Sequence, residues 1–182
     1  MDFDALNPNR FAAVVYDDGK AVDALMSAFA AELVAAGVAA RGIVQLPPEA
    51  PGCGPGSPMR VRVVESGELL PICQDLGPGA ASCKLDSSAL AGAAVRLREC
   101  ASLPSDILFF SKFGKQEANG GGFRAEFGYA ISAGRTVLTA VKRPLTAKWL
   151  EFTGDRGTLL DARAWVLRAW WRELNLPRRL AA

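Results

Sequence analysis

The stretch Asp106-Ile107-Leu108-Phe109-Phe110-Ser111-Lys112-Phe113-Gly114-Lys115-Gln116-Glu117-Ala118-Asn119-Gly120-Gly121-Gly122-Phe123-Arg124 decides the fold. Asp106 to Phe110 reads as a fully buried strand, because a short unbroken apolar run suits the middle of a parallel sheet. Phe123 to Ala133 reads as a helix. Between them lies a polar, cationic, glycine-rich loop, and α/β proteins place ligands at such strand-to-helix loops.

The same alternation recurs on both sides of this stretch. Phe11 to Tyr16 is another apolar run, broken by Asp17-Asp18-Gly19-Lys20. A helix is predicted from Ala21 to Ala36, with Val22, Leu25, Met26, Phe29 and Leu33 on one face and Gly37 as its stop. Arg41 to Leu46 reads as the next strand, completing a βαβ unit. Met59 to Val64 alternates apolar and basic residues, and Leu69 to Cys73 returns after a turn, so a hairpin is expected, with a solvated, basic outer face. Asp86 or Ser87 is placed to cap a helix carrying Leu90, Ala94 and Leu97. Thr136 to Val141 is the last clear strand, followed by helices over Thr146–Phe152 and Asp161–Leu174. Trp165 and Trp170 fall off the apolar stripe of the last helix; packing within the molecule over a sheet edge is expected ahead of the alternative, a self-association patch.

The fold class expected from this order is α/β: three layers around a mostly parallel sheet, with an inserted β-hairpin and a C-terminal helix. The expected organisation is an N-terminal extension over residues 1–9, one domain over 10–176 and a tail over 177–182.

Composition narrows the chemistry. The 182 residues suit one domain, and the formal charge of +2 is too small to argue for nucleic acid. No apolar run is long enough for membrane insertion and the N-terminus lacks a signal-peptide core, so the cytoplasm is the expected compartment. There is no histidine, which removes Ser-His-Asp and Cys-His catalysis and histidine metal ligation. Cys53, Cys73, Cys83 and Cys100 form no C-x-x-C pair, so no metal site is expected from them. Cys100 reads as core, while Cys73 and Cys83 receive no role.

The loops expected at the carboxyl edge of the sheet are Asp17–Lys20, Gln74–Cys83, Ser111–Gly122 and Lys142–Pro144. They gather Lys20, Lys112, Lys115, Arg124, Lys142 and Arg143 near glycines and helix N-termini, a combination that favours an oxyanion or phosphate. Asp17, Asp18, Asp75 and Glu117 are carboxylates able to hold magnesium or orient a water there. The predicted anion- or nucleotide-binding set is Asp18, Gly19, Lys20, Lys112, Gly114, Lys115, Gln116, Gly120, Gly121, Gly122 and Arg124. Glu117 and Asp75 are the catalytic candidates if the chain is an enzyme.

Several segments carry a resemblance: Phe11–Tyr16, Arg41–Leu46, Pro71-Ile72-Cys73-Gln74-Asp75-Leu76-Gly77, Cys83-Lys84-Leu85-Asp86 and Lys112-Phe113-Gly114-Lys115-Gln116-Glu117. They resemble an uncharacterised bacterial domain-of-unknown-function family whose genes lie near those for molybdate transport and molybdenum-enzyme assembly. That family is in turn distantly similar to the thermophile-type P-loop nucleoside triphosphatases. The resemblance spans about residues 10 to 155.

Against the Walker A pattern G-x-x-x-x-G-K-[ST], Val22 stands where the lysine belongs, Asp23 where the hydroxyl belongs, and Lys20 comes two residues early. Ser111 and Lys112 replace the acidic pair at the end of the later strand, while Gly114 and Glu117 match. The resemblance therefore implies a degenerate P-loop protein that binds a nucleotide with Mg2+, or an oxyanion such as molybdate, without ordinary hydrolysis. It also implies a role accessory to molybdenum supply, with self-association or a molybdenum-pathway partner left open. A divergent triphosphate hydrolase or transferase and a non-catalytic interaction module are the alternatives.

Overall fold

Asp18 starts the first helix by accepting hydrogen bonds on its side chain from the amides of Lys20 (2.8 Å) and Ala21 (3.3 Å). The helix therefore begins at Gly19, two residues earlier than predicted, because an N-cap carboxylate satisfies donors that would otherwise be orphaned. It ends where Gly37, at φ +77°, lets Val38 donate back to the Leu33 carbonyl, closing the last turn in the left-handed manner glycine favours.

The computed structural model describes residues 10–47, 59–72 and 87–180. Among them the strands are β1 (Phe11–Tyr16), β2 (Ala40–Gln45), β3 (Arg60–Val63), β4 (Leu69–Pro71), β5 (Ile107–Phe109), β6 (Val137–Lys142) and β7 (Thr158–Asp161). The helices are α1 (Gly19–Ala35), α2 (Ser87–Ser102), α3 (Lys115–Ala118), α4 (Arg124–Ser132), α5 (Thr146–Thr153) and α6 (Ala164–Leu180). The strands form one sheet in the order β4-β3-β2-β5-β6-β1-β7. Pairing is parallel from β2 through β7, and the β3–β4 hairpin adds antiparallel to β2. The predicted α/β class, mostly parallel sheet and inserted hairpin are all present.

Two apolar layers hold helices on the two faces. One joins Val22, Met26 and Phe29 of α1 and Leu167 and Trp170 of α6 to Val14, Ile107, Phe109 and Leu138. The other joins Leu97 and Cys100 of α2, Phe127 of α4 and Trp149 of α5 to Ile43, Phe110, Phe113 and Val141. Gly42 is required where β2 meets β5: it sits at φ +105°, and a Cβ there would collide with the Phe109 carbonyl.

Some expectations change. β7 was not predicted; four residues give too short a periodic signal for a strand. The last helix starts at Ala164 and runs to Leu180, so residues 177–180, expected as tail, continue it. Trp170 is buried as expected, but Trp165 stays 62% exposed, so intramolecular packing holds for only one of the two. The outer edge strand is β4, and Arg62 of β3, expected on a solvated face, is pinned to the Ser27 hydroxyl of α1 at 2.7 Å. Of the two predicted caps, Ser87 is the first residue of α2; Asp86, the loop Gln74–Cys83 with Asp75, and Cys53, Cys73 and Cys83 lie outside the described residues, as does the extension over 1–9.

Candidate functional site

The chain from Phe110 to Phe113, just beyond β5, contains a one-residue bulge. Phe110 donates to the Leu138 carbonyl, and the next such bond to β6, to Ala140, comes from Phe113. Regular parallel pairing would give that second bond to Lys112. The extra residue puts Phe113 in the inward place, where its ring packs 5.4 Å from that of Trp149 and 5.9 Å from that of Phe127. Lys112 is thereby turned to the opposite face, toward α1, in the way bulges commonly re-aim a side chain.

On that face Lys112 Nζ lies 2.8 Å from Asp23 Oδ1, 3.0 Å from Asp23 Oδ2 and 3.2 Å from Gln45 Oε1. Tyr16 places its ring 5.6 Å from the ammonium, within cation–π reach. A Cβ added to Gly19 would stand 3.9 Å from the same nitrogen, so Lys112 sits against the first turn of α1. The cluster therefore draws on the ends of β1, β2 and β5 and on α1, at the carboxyl edge where parallel sheets bind ligands. Asp23 is buried, and burial pushes its carboxyl up to about 6 even though Lys112 pulls it down; Asp18 adds to the rise. Burial, and then the Asp23 charge, also raise the Tyr16 phenol.

Beside this cluster, Asp17 accepts two hydrogen bonds on Oδ2, from Arg143 Nε (3.0 Å) and Nη2 (2.9 Å). This joins the β1–α1 and β6–α5 loops and holds the Asp17 carboxyl below its usual range. Only Asp17 and Asp18 separate β1 from α1, and the Asp18 carboxylate already takes two amides at the helix start. A phosphate bound in the Walker manner needs a longer glycine loop there and those same amides.

The rest of the predicted set turns to the other layer. Glu117 is buried: Oε2 accepts from the Gly114 amide at 2.8 Å and Oε1 from the Phe123 amide at 2.9 Å. Arg124 donates to the Glu117 carbonyl at 2.9 Å, and its guanidinium lies 4.4 Å from the Phe152 ring centroid. Gly122, at φ +57°, lies so close that a Cβ would overlap the Glu117 carboxylate. These residues hold the loop in shape. Glu117, expected as a catalytic candidate, has both oxygens bonded to backbone amides, and Gly122 lies against its carboxylate. Lys115, Gln116, Gly120 and Gly121 are exposed on this loop.

The predicted set thus divides. Gly19 and Lys112 meet at the α1 end, where Asp18 caps the helix and Lys20 occupies its first turn. Gly114, Lys115, Gln116, Gly120 to Gly122 and Arg124 belong to the clamp loop and its surroundings. Asp23, Gln45 and Tyr16 were missing from the predicted binding set. Asp23 had a signal: a carboxylate between Val22 and Met26, on the apolar face of α1, needs a buried partner.

Comparison with known proteins fits this geometry. The solution structure of a human cancer-related nucleoside triphosphatase superposes with a TM-score of 0.61, covering 94% of this chain and 97% of that one at 17% identity. The fold is therefore of the P-loop NTPase type. The chain belongs to the family described as "Protein of unknown function (DUF2478)", which matches residues 11–170. It is also 41% identical over 176 residues, 96% of its length, to the molybdenum import ATP-binding protein ModC 2 of Bradyrhizobium diazoefficiens. The match spans 19% of that longer relative.

Magnesium, which the fold type implies, does not fit the residues present. P-loop enzymes hold it with the loop Ser/Thr and an acid on a neighbouring strand, whereas the side chains that meet here at the start of α1 and the end of β5 are an ion-paired Asp23 and Lys112. Among the described residues no three His, Cys, Asp or Glu side chains are grouped to hold a metal. No helix among them is long and apolar enough to cross a membrane.

Proposed function

We propose that this chain is a P-loop-type binding domain that does not hydrolyse nucleotides, and that it takes a small oxyanion of the molybdate class in a role accessory to molybdenum supply or its regulation. The observation that carries the reading is the partly exposed Lys112 ammonium at the carboxyl edge, with Tyr16 and the first turn of α1 beside it. The molybdenum link rests on the relative, whose name concerns molybdenum import. Non-hydrolysis is supported by the commitment of Glu117 to two amides and by the lack of an acid at Lys112. Binding in the cytoplasm is the setting that goes with this reading.

A nucleotide is the second ligand to consider, favoured by the fold and by the words "ATP-binding" in the relative's name. The two-residue β1–α1 connection supports the smaller oxyanion over it, because a triphosphate chain needs a backbone cradle. Calorimetric titration of molybdate, tungstate, ADP and ATP tests the reading. Heat from molybdate or tungstate with no phosphate release from ATP is expected. Silence from all four up to about 1 mM, a weak-binding limit, would sink it.

A further inference from the structure

We propose that the Lys112 ammonium is the resident cation of this site, standing where P-loop enzymes hold magnesium, so that the site works without a divalent metal. The inference rests on the P-loop reading of the fold and is independent of which anion binds.

In the enzymes of this fold type the ion lies between a hydroxyl on the first helix and an acid at the end of a neighbouring strand. Here the two positions have exchanged chemistry. The helix position supplies the carboxylate of Asp23, and the strand end supplies a tethered positive charge. Three oxygens surround the nitrogen: Asp23 Oδ1 at 2.8 Å, Asp23 Oδ2 at 3.0 Å and Gln45 Oε1 at 3.2 Å. Oxygen ligands of this kind suit a hard cation, and the one they surround is covalently attached.

A divalent ion would have to displace it or sit beside a like charge. Displacement is costly because the Asp23 side chain is only 7% exposed and that of Lys112 only 20%, so each would lose the partner that compensates its burial. Among the described residues, neither Asp17 nor Asp18 is open to take over. Asp17 is held by Arg143, and Asp18 caps α1. Magnesium also demands near-octahedral geometry at about 2.0–2.1 Å and keeps several waters, whereas the bulge that aims Lys112 fills this space with a side chain.

The bulge itself is the second mark of a built feature. It places Phe113 in the aromatic core and Lys112 on α1 at once, so the lysine is positioned by the fold rather than left on a loose loop.

Mn2+ added to the 182-residue chain tests this through paramagnetic broadening of backbone NMR signals. In the wild type no saturable broadening at Gly19, Asp23 or Lys112 is expected up to about 1 mM. Lys112→Asp is expected to bind Mn2+ at least about tenfold more tightly than the wild type. If that variant does not fold, Lys112→Gln, which removes the competing charge, should show the same gain in smaller measure. Saturable binding in the wild type that Asp23→Asn abolishes would overturn the proposal. So would a folded Lys112→Asp or, in its place, Lys112→Gln that binds Mn2+ no better than the wild type. Failure of molybdate or nucleotide to bind would count against the proposed function alone, because the manganese readout needs no anion.

Discussion

Lys112 at the end of β5 and Asp23 on the second turn of α1 meet at 2.8 Å although 89 residues separate them in sequence. The contact ties the middle of the sheet to its first helix in a largely buried setting. Removing one partner strands the other charge, which typically costs 3–5 kcal/mol, whereas replacing both by apolar groups is close to neutral. Lys112→Met should therefore destabilise the chain by about 3 kcal/mol in urea unfolding, and Lys112→Met with Asp23→Leu should recover most of that loss. Additive effects of the two changes would contradict the pairing.

The pH dependence of stability carries the same signature. Asp23 titrates near 6 when folded, above the ordinary carboxylate value of about 3.9 of the unfolded chain. Between these values the folded state holds a proton that the unfolded state has lost, so this group makes stability fall as pH rises from about 4 to about 6. The contribution is complete below the lower value and gone above the upper one, and it amounts to roughly 2–3 kcal/mol. Asp17, Glu32 and Glu151 are lowered by their arginine or lysine partners and act with the opposite sign, losing their contribution at acid pH. The informative curve is thus the difference between wild type and Asp23→Asn, which should slope only in that window.

Glu117 is a structural clamp, and its variants should read out in stability. Glu117→Ala leaves the Gly114 and Phe123 amides without their acceptors, at about 1–3 kcal/mol for each buried donor. Glu117→Gln keeps one acceptor and should lose less. Gly122→Ala should cost at least about 1 kcal/mol, since it combines a left-handed backbone with overlap on the same carboxylate. Thermal melts of the three variants check the order.

Asp18 occupies the amides that an anion would use at α1. Asp18→Ala should lose about 1 kcal/mol of stability through the missing cap. It should also tighten oxyanion binding, because it removes a negative charge and frees two donors. Parallel melts and titrations would expose a variant that loses stability without any gain in affinity.

Most of the architecture was legible because long apolar runs and 3.6-residue stripes survive without tertiary information: β1, α1, β2, the hairpin and β6 fall within two residues of their expected bounds. β7 was missed because Thr158 to Asp161 is too short to show alternation. α3 was missed because four residues inside a glycine-rich loop carry no periodicity, and the Glu117 side chain, which completes it by reaching back to Gly114, looked like catalytic chemistry. Composition grouped Lys112 with the start of α1 at the carboxyl edge, and the two lie side by side in the structure. It could not reveal the bulge between Phe110 and Phe113 that sends Lys112 to one face and the rest of its loop to the other. Partnerships such as Lys112 with Asp23 and Arg143 with Asp17 depend on strand order, which local sequence does not carry.

The most direct test of the account is molybdate binding in EDTA, measured by calorimetry on wild type and on Lys112→Met at a temperature where both are folded. Binding by the wild type that is unchanged by added magnesium, and at least about tenfold weaker in the variant, is the predicted result. Binding that appears only with magnesium, or that is indifferent to the loss of Lys112, would contradict it.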